Sequence, residues 1–378
     1  MPKDEETSLI MAVVEAMQHE DGASEDLPAS PRPLKKVRLA PSEGEEVVTK
    51  QCESDTSAKE GCKEILAAPL VNMFRPFLQE KTSPIFDMPQ TALAGAAMTK
   101  QWLNHGWLAV RMPASTASHV AALLTKAQEF FNGPEETKAL CEKSARQYFG
   151  YHRRPEFDKE FVQIRDTQCK AQAHDMFPQV ELRQHANRVF QDLSGLATQM
   201  LDLALGDASR VSSSLVEPRF DSLAPSNVPK LSRSNLTIFK YHSKGIGPPI
   251  VNCPTHTDIG LVTVIPRATV VGGLEDTGGL HVFDWSHNGG AWVDVEPGLP
   301  EDCAIVFAGE TLARMIQRPT PCSHQVAHIP HGAQRYSVPF QLLARSDALI
   351  AGKGSNLTAG QFVEEESARR ISSVFPHD

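Results

Sequence analysis

The stretch His256-Thr-Asp-Ile-Gly-Leu-Val-Thr263 carries the most informative pattern in this chain. It lies among short β-like runs, and in a β-strand residues i and i+2 project from the same face. The imidazole of His256 and the carboxylate of Asp258 are therefore predicted to point into the same space. A second histidine from a neighbouring strand would complete a set of two histidines and one carboxylate, which is typical of oxygen-activating Fe(II) sites.

The downstream sequence contains a candidate for that histidine and a pair of residues that could bind a carboxylate. His324 lies in Ser323-His-Gln-Val326, and it is followed by the i, i+2 pair of Arg335 and Ser337. A guanidinium beside a hydroxyl can bind a carboxylate, because the planar fork pairs with it and the hydroxyl adds a hydrogen bond. Because the chain has fourteen histidines, the His-x-Asp pattern alone is weak evidence for a metal site. Its combination with His324 and the Arg335/Ser337 pair makes the pattern informative.

Several alternatives stay open at this level. His328 and His331 are close enough to His324 in sequence to replace it as the third ligand if the strand register were shifted. Arg335 could be a structural ion-pair partner, and Tyr241 an ordinary aromatic residue of a strand. His281, between two apolar residues, is interpreted as a half-exposed structural residue.

A set of ordered motifs resembles the isopenicillin-N-synthase-like group of 2-oxoglutarate/Fe(II)-dependent dioxygenases. The resemblance covers roughly residues 83 to 345. It is carried by Trp102-Leu-Asn-His-Gly-Trp107, Phe130-Phe-Asn-Gly-Pro-Glu-Glu-Thr-Lys138, Gly150-Tyr151, Lys159-Glu-Phe161, His256 to Thr263, Gly278-Gly-Leu-His-Val282, Trp292, His324-Gln-Val326 and Arg335-Tyr-Ser-Val-Pro-Phe340.

The resemblance implies a set of ligands and cofactors. His256, Asp258 and His324 would bind Fe(II), with no catalytic side chain beyond these ligands. Arg335 and Ser337, assisted by Tyr241, would hold the distal carboxylate of 2-oxoglutarate as co-substrate. O2 would be the oxidant, with ascorbate as a further candidate, and the products would be succinate, CO2 and a hydroxylated or desaturated small organic molecule.

The chain departs from the group at Phe239, where asparagine is usual two residues before the tyrosine. Two other functions stay open as alternatives. One is an Fe(II) oxidase of the same fold that does not use 2-oxoglutarate. The other is a catalytically silent jelly-roll binding module.

The order of helical and β-like patterns predicts the fold class. Apolar residues follow helical spacing in two segments of the first half, while short β-like runs separated by Gly, Pro and Asn dominate after about residue 235. We expect an α+β protein with a double-stranded β-helix (jelly-roll) core and N-terminal helices packed around it. The expected divisions are a disordered acidic tail over 1–70, a helical part over 71–230, the jelly-roll core over 231–345 and a C-terminal extension over 346–378.

Composition supports the tail and limits the partners. No aromatic residue precedes Phe74, and most of the net charge of -9 falls in residues 1–68, so the folded part is nearly neutral. A nearly neutral fold argues against nucleic acid as a partner, and no apolar run is long enough for a membrane span. We expect a monomer that takes a small-molecule substrate.

The cysteines and the tail also predict a location. Seven scattered cysteines without Cys-x-x-Cys spacing indicate reduced thiols and a cytoplasmic protein. The basic cluster from Arg32 to Arg38 resembles a nuclear-import signal, which makes the nucleus the alternative.

Overall fold

The structure is a computed structural model, and it describes residues 84–89, 92–142, 149–167, 179–206, 214–216, 231–242, 251–272, 279–285, 290–316, 321–327, 329–350 and 356–374. The predicted acidic tail, the basic cluster from Arg32 to Arg38, and His328 lie outside these residues. Among the described residues, no helix is long and apolar enough to cross a membrane.

The described strands form two sheets. Ten strands make the major sheet, in the order β1-β2-β11-β7-β14-β5-β13-β8, with β4 beside β5 and β3 beside β4. Their bounds are β1 Ile85–Phe86, β2 Trp107–Arg111, β3 Gly150–Arg154, β4 Lys159–Thr167, β5 Leu231–His242, β7 Val262–Pro266, β8 Thr269–Val271, β11 Cys303–Ala308, β13 Gln334–Ser337 and β14 Phe340–Leu342.

The minor sheet has four strands in the order β10-β9-β12-β6. They are β6 Cys253–His256, β9 Leu280–Asp284, β10 Ala291–Asp294 and β12 His324–Val326. All their pairings are antiparallel.

Side-chain alternation divides the core of the major sheet into two faces. Even-numbered residues such as Leu236, Ile238 and Val264 belong to one large cluster together with apolar residues of the helices. Odd-numbered residues such as Ile265, Ile305 and Phe307 pack with Leu280 and Val282 of the minor sheet. The face that carries Ile265, Ile305 and Phe307 is therefore the interior of the jelly roll.

Six helices are described: α1 Ala92–His105, α2 Ala114–Phe131, α3 Glu135–Cys141, α4 Val180–Leu205, α5 Glu310–Ile316 and α6 Ala359–Val374. α4 buries residues at three- and four-residue intervals, including Leu182, Ala186, Val189 and Leu193. This apolar stripe explains why the segment is a helix packed on the sheet. α4 ends before Gly206, whose φ of 60° favours glycine.

The observed architecture confirms the predicted α+β class with a jelly-roll core and N-terminal helices packed around it. The β-like run that follows His324 forms two strands, β13 and β14, because Pro339 interrupts it. β3 and β4, which extend the major sheet, lie in the segment that was expected to be helical.

Candidate metal and carboxylate site

The two predicted histidine ligands lie next to each other on adjacent strands of the minor sheet. His324 at the start of β12 is the direct partner of His256 at the end of β6. Their ring centroids are 4.2 Å apart, and the His324 ring also lies 4.6 Å from that of Phe307 on the major sheet. Antiparallel register therefore brings together two residues that are far apart in sequence.

Asp258 completes the cluster from just beyond β6. The strand ends at His256, so the prediction that both residues lie in one strand is wrong for Asp258. Asp258 Oδ1 is nevertheless 3.7 Å from His256 Nε2 and 3.9 Å from His324 Nε2. One ligand atom from each of the three residues lies within 4.8 Å of the other two.

The carboxylate of Asp258 is fixed by the major sheet. Thr263 on β7 donates its hydroxyl to Oδ2, and Gln341 Nε2 on β14 donates to Oδ1 at 2.9 Å. Asn235 in turn donates to Gln341 Oε1 at 3.3 Å. These bonds orient a buried carboxylate that would otherwise be free to rotate.

Both imidazoles use the Nδ1 atom for a backbone bond. His256 Nδ1 lies 2.8 Å from the carbonyl of Pro254, and His324 Nδ1 lies 3.0 Å from that of Cys322. Each Nδ1–H therefore donates to a carbonyl, and the Nε2 of each ring lies on the side of Asp258. Metal-ligating histidines typically show this arrangement.

The two rings differ in their affinity for protons. Burial lowers the pKa of His324 to about 4, so its ring is neutral near pH 7. Burial acts the same way on His256, but the Cys253 thiolate and the Asp258 carboxylate outweigh it and raise the pKa to about 9. A metal ion would therefore displace a proton from His256 when it binds.

The backbone around Asp258 is held by the start of α5. Glu310 N donates to the carbonyl of Asp258 at 2.9 Å, and Gly309 N donates to that of Leu261 at 3.0 Å. A Cβ at Gly309 would lie 2.1 Å from the carbonyl oxygen of Gly260, so only glycine fits there. The backbone carbonyls of the loop that carries Asp258 thus accept hydrogen bonds from the N–H groups at the start of α5.

The predicted carboxylate anchor is buried and already has one partner. Arg335, 1% exposed, donates Nε and Nη2 to the two carboxylate oxygens of Glu296 at 3.1 and 2.7 Å. Its Nη1 is buried and has no hydrogen-bond partner among the described residues. The anchor therefore has one free donor edge, and its charge is balanced by Glu296.

Ser337 and Tyr241 lie on the interior face with Arg335. Tyr241 is the partner of Arg335 in the sheet, and its ring centroid lies 5.4 Å from the guanidinium carbon. Ser337 follows at i+2 on β13 and is buried. A Cβ at Gly279 would be 3.1 Å from Arg335 Cδ, so this glycine makes room for the arginine.

Two other histidines of the sequence interpretation, His331 and His281, lie within the described residues. His331 is exposed and is not part of the metal-type cluster. His281 is 8% exposed, so the half-exposed interpretation is wrong. It lies opposite Asp294 on β10, with 3.7 Å between Nε2 and Oδ2.

The sequence interpretation did not identify Glu296 and Gln341. A signal for Glu296 exists, because Asp294 and Glu296 place two acids at alternate positions at the end of an apolar run. Gln341 directly follows the motif that ends at Phe340, but nothing in the sequence shows its contact with Asp258.

The observed groups fit the cofactors that the sequence resemblance implied. Two imidazole nitrogens and one carboxylate suit a divalent first-row metal such as Fe(II) and leave coordination positions open. The buried, unpartnered Nη1 of Arg335 fits the carboxylate of a bound acid.

Comparison with known proteins identifies the fold. No family model matches the sequence, and no curated protein matches it. Neurospora crassa T7H, solved with alpha-KG and 5-formyluracil, superposes with a TM-score of 0.57 at 18% identity over 75% of this chain and 95% of that chain.

Two further solved structures share this fold. Arabidopsis thaliana AtDAO1, a dioxygenase for auxin oxidation solved with 2-oxoglutarate, gives 0.53 at 20% identity over 70% of this chain and 94% of its own. A protein assigned to the 2OG-Fe(II) oxygenase family, from Caulobacter crescentus, gives 0.54 at 19% identity over 77% and 100%. The chain therefore has the fold of 2OG-Fe(II) oxygenases.

Proposed function

We propose that this chain is an Fe(II)- and 2-oxoglutarate-dependent oxygenase that hydroxylates or desaturates a small organic substrate, with release of succinate and CO2. One observation carries the proposal: His256, Asp258 and His324 converge on the interior face that also carries a buried arginine with a free donor edge. The structures of T7H and AtDAO1, which share the fold, hold 2-oxoglutarate.

His256, Asp258 and His324 would hold the metal through Nε2, a carboxylate oxygen and Nε2. Bound Fe(II), with 2-oxoglutarate and O2, supplies the oxidation of a C–H bond. Thr263 and Gln341 keep the carboxylate oriented, so the ligand set is preorganised.

The protein's other contribution is to orient the co-substrate. Arg335 would donate Nη1 to the distal carboxylate of 2-oxoglutarate, with the hydroxyls of Ser337 and Tyr241 as further donors. Glu296 holds the guanidinium by its other edge and fixes the direction of Nη1. Leu280, Val282 and Phe307 line the adjacent interior and exclude water.

One observation favours the oxidase that does not use 2-oxoglutarate as a second candidate. Because Glu296 balances the charge of Arg335, the anchor attracts a dianion less strongly than a free arginine would. The two candidates differ in whether succinate forms.

The test measures succinate from 2-oxoglutarate with purified protein, Fe(II) and ascorbate, in the wild type and in His324→Ala. We expect uncoupled succinate formation that His324→Ala reduces at least about 100-fold, because two ligands hold the metal far less firmly than three. His331→Ala, which changes an exposed histidine seven residues further on, should behave like the wild type. A wild type that binds Fe(II) but forms no succinate would contradict the proposal and favour the oxidase or the silent module.

A further inference from the structure

Lys159 is a buried lysine on the interior face of the major sheet. It begins β4, and its partner on β5 is Tyr241. Arg335 is the partner of Tyr241 on the other side. Lys159, Tyr241 and Arg335 therefore lie side by side on three adjacent strands, and Lys159 is only 6% exposed.

Lys159 differs from the other buried lysines of this region in having no carboxylate. Lys138 and Lys240, on the opposite face, share Glu160 at 3.3 and 3.6 Å. Lys159 forms no ion pair or side-chain hydrogen bond with any residue of the described part of the chain. A buried ammonium normally needs such a partner, because its charge is costly to remove from water.

The surroundings of the ammonium are aromatic. Lys159 Nζ lies 5.1 Å from the ring centroid of Phe157 and 5.7 Å from that of Phe239. Cation–π contacts of this kind offset part of the cost of burial but do not neutralise the charge. The Cys253 thiol also feels the charge of this ammonium, which lowers the pKa of the thiol. No carboxylate of the described residues reaches the ammonium, and a carboxylate ligand would complete this environment.

Aromatic rings also form a continuous row along this face. His152 stacks on Phe161 with centroids 5.0 Å apart, Phe161 lies 5.4 Å from Phe239, and Phe239 stacks on Tyr241 at 5.3 Å. Phe161 and Phe239 are only partly buried although they face the interior. The minor sheet thus leaves these two rings accessible to an apolar ligand.

This face is close to the metal-type cluster. Phe239 and Cys253 both pack against the small cluster around Tyr241. Cys253 Sγ is 4.0 Å from His256 Nδ1. Phe239 stands where the resembled group usually has asparagine, so the ring is a feature of this chain.

We infer that Lys159 binds the carboxylate of the substrate, and that the substrate is an aromatic monocarboxylic acid whose ring lies on Phe161 and Phe239. The inference rests on the proposed function for the reaction that follows binding. Arg335 and Ser337 are assigned to the co-substrate, and β5 separates Lys159 from them, so Lys159 is available to a second acid.

The test compares the binding of acids with that of their neutral amides. Full-length protein with Mn(II) and 2-oxoglutarate, without O2, is titrated with phenylacetate, trans-cinnamate and 1-naphthylacetate, and with the primary amide of each. We expect at least one acid to bind at least about tenfold more tightly than its amide, as one charge-assisted hydrogen bond implies. Lys159→Met, which keeps the stem but removes the charge, should abolish this preference, and Lys159→Arg should retain it.

Lys100→Met changes an exposed lysine of α1 and should leave the preference unchanged. The inference is wrong if no acid binds, or if the preference for the acid persists in Lys159→Met. It is also wrong if Lys159→Met instead weakens the binding of 2-oxoglutarate, because that result would place Lys159 in the co-substrate site. Binding is measured without turnover, so a failure of the proposed oxygenase activity would be recognised separately, by the absence of succinate.

Discussion

At the scale of single residues, the pairing of Arg335 with Glu296 distinguishes this site from a simple cationic anchor. Burial opposes ionisation of Glu296, but the charge and hydrogen bonds of Arg335 outweigh it, so the pKa of Glu296 is below its ordinary value. Both groups are thus charged near pH 7. The structural ion pair and the co-substrate anchor, which were alternatives from sequence, are compatible because they use different edges of the guanidinium.

We predict that Glu296→Gln lowers the stability of the protein but increases the stabilisation that bound 2-oxoglutarate provides. Removing one partner of a buried ion pair leaves an uncompensated charge and costs about 3 kcal/mol. A bound dianion would replace that partner, so 2-oxoglutarate should raise the melting temperature more in Glu296→Gln than in the wild type. Thermal unfolding with and without 2-oxoglutarate measures both effects.

Glu301→Gln, at an exposed position, is the matched control and should change neither quantity. An equal shift by 2-oxoglutarate in Glu296→Gln and the wild type would show that the ligand does not contact Arg335.

At the scale of elements, the site depends on register more than on any single strand. The sequence motif correctly named His256, Asp258 and His324 as neighbours. It could not show that the two histidines are direct partners on β6 and β12, or that Asp258 lies beyond β6, because those features depend on pairing between distant segments.

β3 and β4 illustrate what local patterns miss. The β4 sequence Lys-Glu-Phe-Val-Gln-Ile-Arg-Asp-Thr alternates polar and apolar residues only loosely, and both of its faces are partly buried. Its strand character comes from pairing with β5 along almost its whole length. Lys159 was noted as part of a motif, but its burial became visible only with that pairing.

The turn between β11 and α5 supports a prediction about Gly309. Gly309→Ala would place a methyl group 2.1 Å from the Gly260 carbonyl oxygen, so the loop carrying Asp258 must move. We expect a loss of about 3 kcal/mol or more in the free energy of unfolding, as for other strained backbone sites. Weaker metal binding should accompany it, measured by Mn(II) titration.

Gly195→Ala is the control, since nothing lies within 4 Å of a Cβ built at this glycine of α4. That variant should be more stable by about 1 kcal/mol, because alanine favours a helix interior. Unchanged metal affinity in Gly309→Ala would separate this turn from the positioning of Asp258.

At the scale of the whole molecule, the sequence predicted the architecture better than its details. Runs such as Cys303–Ala308 are apolar throughout and fully buried, which identifies central strands without further information. The interior polar groups were harder to predict. Glu296, Asp294 and His281 come from two strands of the minor sheet and the segment after β10, and only the fold brings them together around Arg335.

The pKa of Asp294, one of these interior polar residues, predicts how the stability of the protein varies with pH. Burial, together with the nearby charge of Glu296, raises the pKa of Asp294 from 3.8 to about 7. The folded protein then holds a proton that the unfolded chain releases near pH 4. Its contribution to stability is fully present below that pH and is lost as the pH rises through about 7.

Asp294→Asn should remove this dependence. The side chain is 22% exposed, which reduces the effect, so we expect the variant to exceed the wild type by on the order of 2 kcal/mol at pH 8. The two proteins should differ little near pH 4, where the folded protein holds this proton and the unfolded chain has released only part of it. Denaturant unfolding at intervals from pH 4 to 8 measures the difference, and Asp87→Asn, at a carboxylate 83% exposed, should show none of it. A constant difference across the range would mean that Asp294 is ionised in the folded protein throughout, with His281 rather than a proton as its partner.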